Sequence, residues 1–215
     1  MTILHHPSEM RLASYASGSL WLGHAIVVAS HIEQCRTCES QVRGWESVGG
    51  ALLESIAPTA MADDALTRAL ARLDAPAPPA PFVAHERTFE SIVLPRAIAD
   101  LGVGPKRRST RSIWTADIVS EQDTGARAFL LGVKAGKSIP DHKHRGIELT
   151  CVLEGSFSDT GGTYGVGDFI EIEGERDHSP VVSMAADCIC VVSADGPPRF
   201  HRLVRWMAQS IRGSR

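Results

Sequence analysis

The 215-residue sequence has no long apolar run, no positive excess, and only five cysteines, an odd number that does not describe a disulfide framework. Each absence excludes a class of protein. The longest uninterrupted apolar stretch near the N-terminus, Ala25 to Ala29, falls far short of the about 20 residues that a membrane span requires. Residues 1–20 show no basic start followed by an apolar core, so no secretory signal is readable and a cytoplasmic chain is expected. A net charge of −3 argues against a protein that works mainly by gripping nucleic acid. Internal repeats are absent too, and the one low-complexity tract is a short proline-rich stretch.

What is present reads as an ordinary globular chain. Apolar residues make up 43% and charged residues 22%, which argues against wholesale disorder. The length suits one large domain or two small ones. Residues 1–84 hold five Lys/Arg against eight Asp/Glu, while residues 85–215 hold 17 of each. The acidic excess is therefore N-terminal, and a protein partner suits it better than DNA.

Four prolines between Ala75 and Phe82 divide the chain, because proline lacks an amide proton and restricts the residue before it. The stretch reads as a semi-rigid linker. Before it the period is helical. Ser8 caps a first helix that ends near Gly18, and Leu22, Ala25, Ile26, Ala29 and Ile32 mark a second. A third carries Val42, Trp45, Val48, Leu52 and Leu53 towards Pro58; Asp63-Asp64 opens a fourth with Leu66, Ala69, Leu70 and Leu73 on one stripe. That last stripe is either internal core or an exposed arm that closes on a partner. After the linker come short strands at Ser112–Val119, Ala128–Val133, Ile147–Phe157, Thr163–Tyr164, Asp168–Glu173 and Asp187–Ser193, separated by glycine turns such as Gly165-Val-Gly167. Apolar residues fill both faces of the strand through Cys188, Cys190 and Val192, so it is expected to be buried on both sides. The sequence thus predicts an α+β chain of two domains. Residues 1–80 form a small all-α, four-helix domain, 81–105 a linker, and 106–205 an all-β sandwich or barrel.

Two constellations carry chemistry. His31-x3-Cys35-x2-Cys38 places His31 and Cys35 one helical turn apart, with Cys38 at the start of the next helix. Two thiolates and neutral imidazole suit tetrahedral zinc, with His5 or His6 as the fourth ligand. Four protein ligands make a closed, structural site, which would staple a helical core too small to be stable alone. The plainer alternatives are a surface His31 with incidental core thiols, or a redox pair without the βαβ setting that such a pair needs.

The second is Gly136-x5-His142-x-His144-x3-Glu148-x6-Gly155. In a strand His142 and His144 point to the same side, Glu148 approaches after a short turn, and His178 supplies a fourth ligand from further along. Three imidazoles and a carboxylate bind a divalent metal, zinc first, with manganese, iron or nickel open. The spacing matches the first cupin motif. The second cupin motif matches less well: Gly167 and His178 stand at the expected separation, but Glu173, Glu175 and Val182 replace its usual proline, glycine and asparagine. Cys151, Cys188 and Cys190 read as buried apolar residues on strands, Lys106-Arg107-Arg108 as a solvated loop, and His24, His85 and His201 as residues with no spacing partner.

His6-Pro7, Glu9, Tyr15-Ala16, Gly18 and Leu20, followed by His31-x3-Cys35-x2-Cys38, resemble the ChrR-type zinc-binding anti-sigma factors, in which such a module precedes a cupin (jelly-roll) domain. The resemblance spans essentially the whole chain. It implies His6, His31, Cys35 and Cys38 as ligands of a structural zinc, favouring His6 over His5. It also implies that the helical domain occludes an extracytoplasmic-function sigma factor in a 1:1 complex, with no direct contact to nucleic acid or membrane. Sigma release would follow an oxidative signal, singlet oxygen or organic peroxide, received through the metal-binding cupin. No catalytic residue is implied. The rival expectation is a metal-dependent cupin enzyme, an oxygenase or isomerase, with an accessory helical zinc domain.

Overall fold

The structure, a computed structural model, describes residues 2–74, 88–119, 125–140, 142–143, 146–174, 179–195 and 199–200. Helix α1 (Glu9–Ala16) begins at Ser8, whose hydroxyl accepts from the Arg11 amide, and is followed by Gly18 at φ +68°. Helices α2 (Leu22–Ile32), α3 (Arg36–Glu54) and α4 (Ala65–Asp74) lie where the helical periodicity puts them. The prolines of 75–82 are outside the described residues. Residues 88–99, within the stretch read from the sequence as linker, carry a hairpin of β1 (Thr88–Phe89) and β2 (Ile92–Val93) and a short helix α5 (Arg96–Ala99). Ile92, Leu94, Ile98 and Ala99 are buried in the main core, so this stretch is part of the folded body rather than a tether.

The remaining strands are β3 (Arg107–Arg108), β4 (Ile113–Val119), β5 (Arg127–Val133), β6 (His142–Lys143), β7 (Ile147–Glu154), β8 (Phe157–Asp159), β9 (Gly162–Tyr164), β10 (Phe169–Glu173), β11 (Val181–Val182), β12 (Cys188–Ala194) and β13 (Arg199–Phe200). They form a six-stranded antiparallel sheet in the order β10-β7-β12-β5-β4-β3, a second sheet β11-β8-β9, and the pair β13-β6. The run Ile147–Phe157 is not one strand. It breaks at Gly155, where φ is +73° and a Cβ would stand 2.2 Å from the Asp187 carbonyl oxygen, a position only glycine fills.

Both faces of the six-stranded sheet are covered, for different reasons. On β12, Cys190 and Val192 join Val152, Ile170 and Val182 in the space towards the second sheet. Their neighbour Val191 joins Leu130, Leu149, Phe169 and the helical residues Ile26, Val27 and Val28. The alternation is the pleat itself. Helix α2 lies on this outer face because it has no polar stripe. Its polar residues are His24, Ser30 and His31, and all three are buried. A helix that is apolar all round must be enclosed, and α2 is enclosed by α1 and α3 on one side and by the sheet on the other.

The approach is close. A Cβ on Gly23 would lie 2.3 Å from the Ala126 carbonyl oxygen, and one on Gly125 (φ +76°) would strike the Trp21 ring. At the other end of the junction, Arg11 Nε donates to Glu171 on β10 at 2.9 Å. By contrast, the apolar stripes of α3 and α4 are not covered: Trp45, Val48, Leu52, Leu66, Leu70 and Leu73 are all exposed.

Gly23→Ala should therefore lower the stability of the full chain by about 1–3 kcal/mol, because backbone must shift to admit the methyl group. Gly44→Ala, on α3 with open space around it, should raise stability by about 0.5–1 kcal/mol. Denaturant unfolding followed by circular dichroism reads both. Similar small effects at the two sites would remove the close α2–sheet approach from this account.

Candidate metal centre

Four side chains from three segments meet under α2. His6 lies in the extended segment before α1, His31 in the last turn of α2, Cys35 at the N-cap of α3, and Cys38 in its first helical turn. One donor atom from each lies within 4.8 Å of all the others. His6 Nδ1 is 3.4 Å from both Cys35 Sγ and Cys38 Sγ, and His31 Nε2 is 3.3 Å from Cys38 Sγ. A tetrahedral ion bound to two thiolates and two imidazoles, with bonds of about 2.0–2.3 Å, has ligand–ligand edges of roughly 3.3–3.8 Å. These three nitrogen–sulfur contacts are within a few tenths of an ångström of the edges such an ion requires. His31, Cys35 and Cys38 are buried and His6 is exposed.

The electrostatics fit a cation. Burial, with Cys35 beside it, pushes the Cys38 thiol up to about 12, so that sulfur resists becoming a thiolate without a positive charge beside it. Burial also pushes His31 below its usual value, against the pull of the Gly167 carbonyl, and leaves the neutral imidazole that a metal needs. His31 Nδ1 donates to that carbonyl at 2.7 Å, which fixes the tautomer and leaves Nε2 facing the sulfurs. His5, the other sequence candidate, faces elsewhere. Its ring lies 4.6 Å from that of Tyr164 and its Nδ1 is 3.5 Å from Asp168.

Of the second constellation, Glu148 is buried near the start of β7, paired in register with Ile172 and Ala194. His142 is on β6, its side chain outside the described residues; His144 and His178 lie wholly outside them. Cys151, Cys188 and Cys190 are buried free thiols, with Cys188 and Cys190 sulfurs 3.7 Å apart on one face of β12. Sequence reasoning did not single out Asp168, although its carboxylate accepts from the amides of Leu4, His5 and Gly165. The turn Gly165-Val-Gly167 was legible, but its partners some 160 residues away were not.

Because the Cys38 thiol must lose a proton to ligate, metal affinity should rise with pH, by about tenfold per unit for each proton released. Cobalt(II) titrations of the full chain, followed at the thiolate-to-metal absorption band at several pH values near neutrality, measure this. A band whose midpoint does not move with pH would contradict a protonated Cys38 thiol in the metal-free protein.

The comparisons with known proteins follow both halves. The family model for the ChrR cupin-like domain matches residues 105–196. The chain is 36% identical to the anti-sigma-E factor ChrR of Cereibacter sphaeroides, over 97% of this chain and 98% of that one. The crystal structure of Rhodobacter sphaeroides SigE in complex with the anti-sigma ChrR contains a chain that matches at a TM-score of 0.75 and 35% identity. That match covers 90% of this chain and 100% of the other. Such coverage includes the helices, the His/Cys cluster and the sheet in one alignment, so the chain belongs to the ChrR family of anti-sigma factors.

Proposed function

We propose that this protein binds an extracytoplasmic-function sigma factor one-to-one and withholds it from transcription until an oxidative signal reaches the cupin half. The inhibition is occlusion, and no catalytic step is involved; the family is one of regulators. The observation that carries this reading is the uncovered apolar surface of the helical half. Met10 and Ala13 of α1 line a groove with Trp45, Val48 and Leu52 of α3. Leu52 and Leu53 are 63% and 70% exposed. Helix α4 adds Leu66, Leu70 and Leu73 as a second amphipathic stripe with no covering element among the described residues. Contiguous apolar surface of this kind marks a docking site for a protein, and the amphipathic spacing suits helices of the partner. A solved complex of a ChrR relative with its SigE supports the choice of partner.

In this reading the His6, His31, Cys35 and Cys38 cluster holds structural zinc, which suits two thiolates and two imidazoles with no open position. The zinc ties the start of α3 to the end of α2 and so fixes the angle at which the groove is presented. His142, His144, Glu148 and His178 would hold a second divalent ion inside the cupin, also zinc, as the receiver of singlet oxygen or an organic peroxide. No helix among the described residues is long and apolar enough to cross a membrane, which agrees with action in the cytoplasm on a soluble partner.

Leu52→Asp and Leu70→Asp, each on an exposed stripe, should weaken sigma binding by tenfold or more, equal to about 1.4 kcal/mol or more. Neither should alter the melting temperature or metal content. Calorimetric titration of the extracytoplasmic-function sigma factors of the same organism into the full chain tests this, and undiminished binding by the double variant would refute the proposed docking face. Glu148→Ala should remove one equivalent of metal per chain and leave the cobalt–thiolate band intact. An unchanged metal count by elemental analysis would discard the cupin site.

A further inference from the structure

The two imidazoles of the His/Cys cluster are held from outside the helical half. The turn of residues 165–168, between β9 and β10, touches both segments that carry them. Gly167 offers its carbonyl oxygen to His31 Nδ1 at 2.7 Å. Asp168 Oδ1 accepts from the Leu4 and His5 amides at 2.8 and 2.9 Å, immediately before His6 in the chain. The amide of Phe169 donates to the His5 carbonyl at 3.0 Å, and the Phe169 ring meets the His31 ring edge-on, centroids 5.6 Å apart. The fit leaves no slack. Gly167 has φ +88°, and a Cβ there would stand 2.6 Å from Ile3 Cδ1.

The turn is itself rigidly placed. Asp168 Oδ2 accepts from the Gly165 amide at 2.8 Å, and the Asp168 amide donates to the Gly165 carbonyl at 2.9 Å. Val152 on β7 holds the turn twice, accepting from the Gly167 amide and donating to the Asp168 carbonyl. Asp168 is only 5% exposed, so water cannot readily replace it as the acceptor for the Leu4 and His5 amides. Cys35 and Cys38, by contrast, are set by the junction of α2 and α3.

We propose that the 165–168 turn of the cupin half is the positioning element of the N-terminal metal centre, with Asp168 and Gly167 holding His6 and His31 for the ion. Partners beyond the ligands fix imidazole orientation and govern affinity. Here those partners belong to the other half of the chain, so ion binding and docking of the two halves are linked. By reciprocity, whatever loosens the turn weakens the hold on the ion, and losing the ion loosens the turn. The inference rests on reading the cluster as a metal centre.

Cobalt(II) is the probe, since a thiolate-to-metal band reports the two-sulfur site and not one built from imidazole and carboxylate. In the full chain, Asp168→Ala and Gly167→Ala should weaken cobalt binding at that band by about 10–100-fold. The shape of the band should be kept, because the donor set is unchanged. Asp168→Asn, which keeps an acceptor for the Leu4 and His5 amides, should recover part of the loss. Asp195→Asn is the control: it perturbs the same helix–sheet junction at His24, 2.8 Å away, and should leave the cobalt affinity unchanged.

Unaltered affinity in folded Asp168→Ala and Gly167→Ala overturns the proposal. An equal loss in Asp195→Asn also overturns it, by tracing the effect to docking in general. Should the turn variants fail to fold, hydrogen exchange on the unaltered chain decides: added cobalt should slow the amides of His5 and Phe169, and no slowing refutes the link. Absence of a thiolate band from the unaltered chain would bring down the metal centre itself, and the turn's role with it.

Discussion

Helix α2 constrains everything around it. It lacks a polar face, so it cannot lie on a surface, and the chain encloses it between α1 and α3 on one side and the β7-β12-β5 part of the sheet on the other. Enclosure has consequences for its three polar residues, because a buried polar group without a partner costs roughly 1–3 kcal/mol. Ser30 donates back to the Ile26 carbonyl. His24 places Nδ1 2.9 Å from Ser193 Oγ and Nε2 2.8 Å from Asp195, and burial holds it below its usual pKa in spite of that carboxylate. His31 is satisfied by Gly167 and by Cys38 Sγ. A shift of the helix by one turn would break the His24 and His31 sets together, while the Ser30 bond, internal to the helix, would travel with it. The two histidines therefore specify the seating of α2, while the apolar residues, with Gly23 at the closest approach, supply most of its attraction to the sheet.

The His31/Cys35/Cys38 pattern was legible because it is local, but its geometry is not the single helical turn expected: α2 ends at Ile32, and Cys35 comes from the N-cap of α3, one turn before Cys38. The strand pattern was legible because period 2 survives even where both faces are buried, as with Cys190 and Val192 against Val191. Sequence spacing left the choice between His5 and His6 open. The structure brings His6 to the sulfurs and turns His5 towards Tyr164. Residues 88–99 defeated the reading for another reason. Strands of two residues and a helix of four are too short to show any period, and the helix, α5, is buried by packing against α2. Asp168 had no local signal at all. An aspartate after a glycine turn is ordinary, and only the fold reveals that it holds a segment from the opposite end of the chain.

The exposed stripes of α3 and α4 have a different logic. An apolar helix face in water is a liability, and a chain without a partner for it would gain from polar residues there. Val42, at the start of the same stripe, is 5% exposed, whereas Trp45, Val48 and Leu52 further along are not covered. The helix leaves the body after its first turns and carries its apolar face with it. The His/Cys cluster sits at that point of departure. An ion there would act as a hinge pin between the part of α3 that belongs to the core and the part that stands out to meet a partner.

Magnitudes then limit what such a pin could do in a switch. A complex of nanomolar strength corresponds to about 12 kcal/mol, and moving a two-state equilibrium from one side to the other takes about 5.5 kcal/mol of differential affinity. Loosening the 165–168 turn, at a 10–100-fold change in metal affinity, supplies only about 1.4–2.7 kcal/mol. That is enough to bias release and too little to cause it. Loss of a structural zinc is on another scale, since its apparent binding energy in small domains is about 10–16 kcal/mol. A signal arriving through β7, which carries Glu148 near its start and anchors the turn at Val152, would therefore act in two stages. The displaced turn would first weaken the hold on the ion, and departure of the ion would then free α3 from the end of α2. The second stage, not the first, would have the energy to unmake a docking surface.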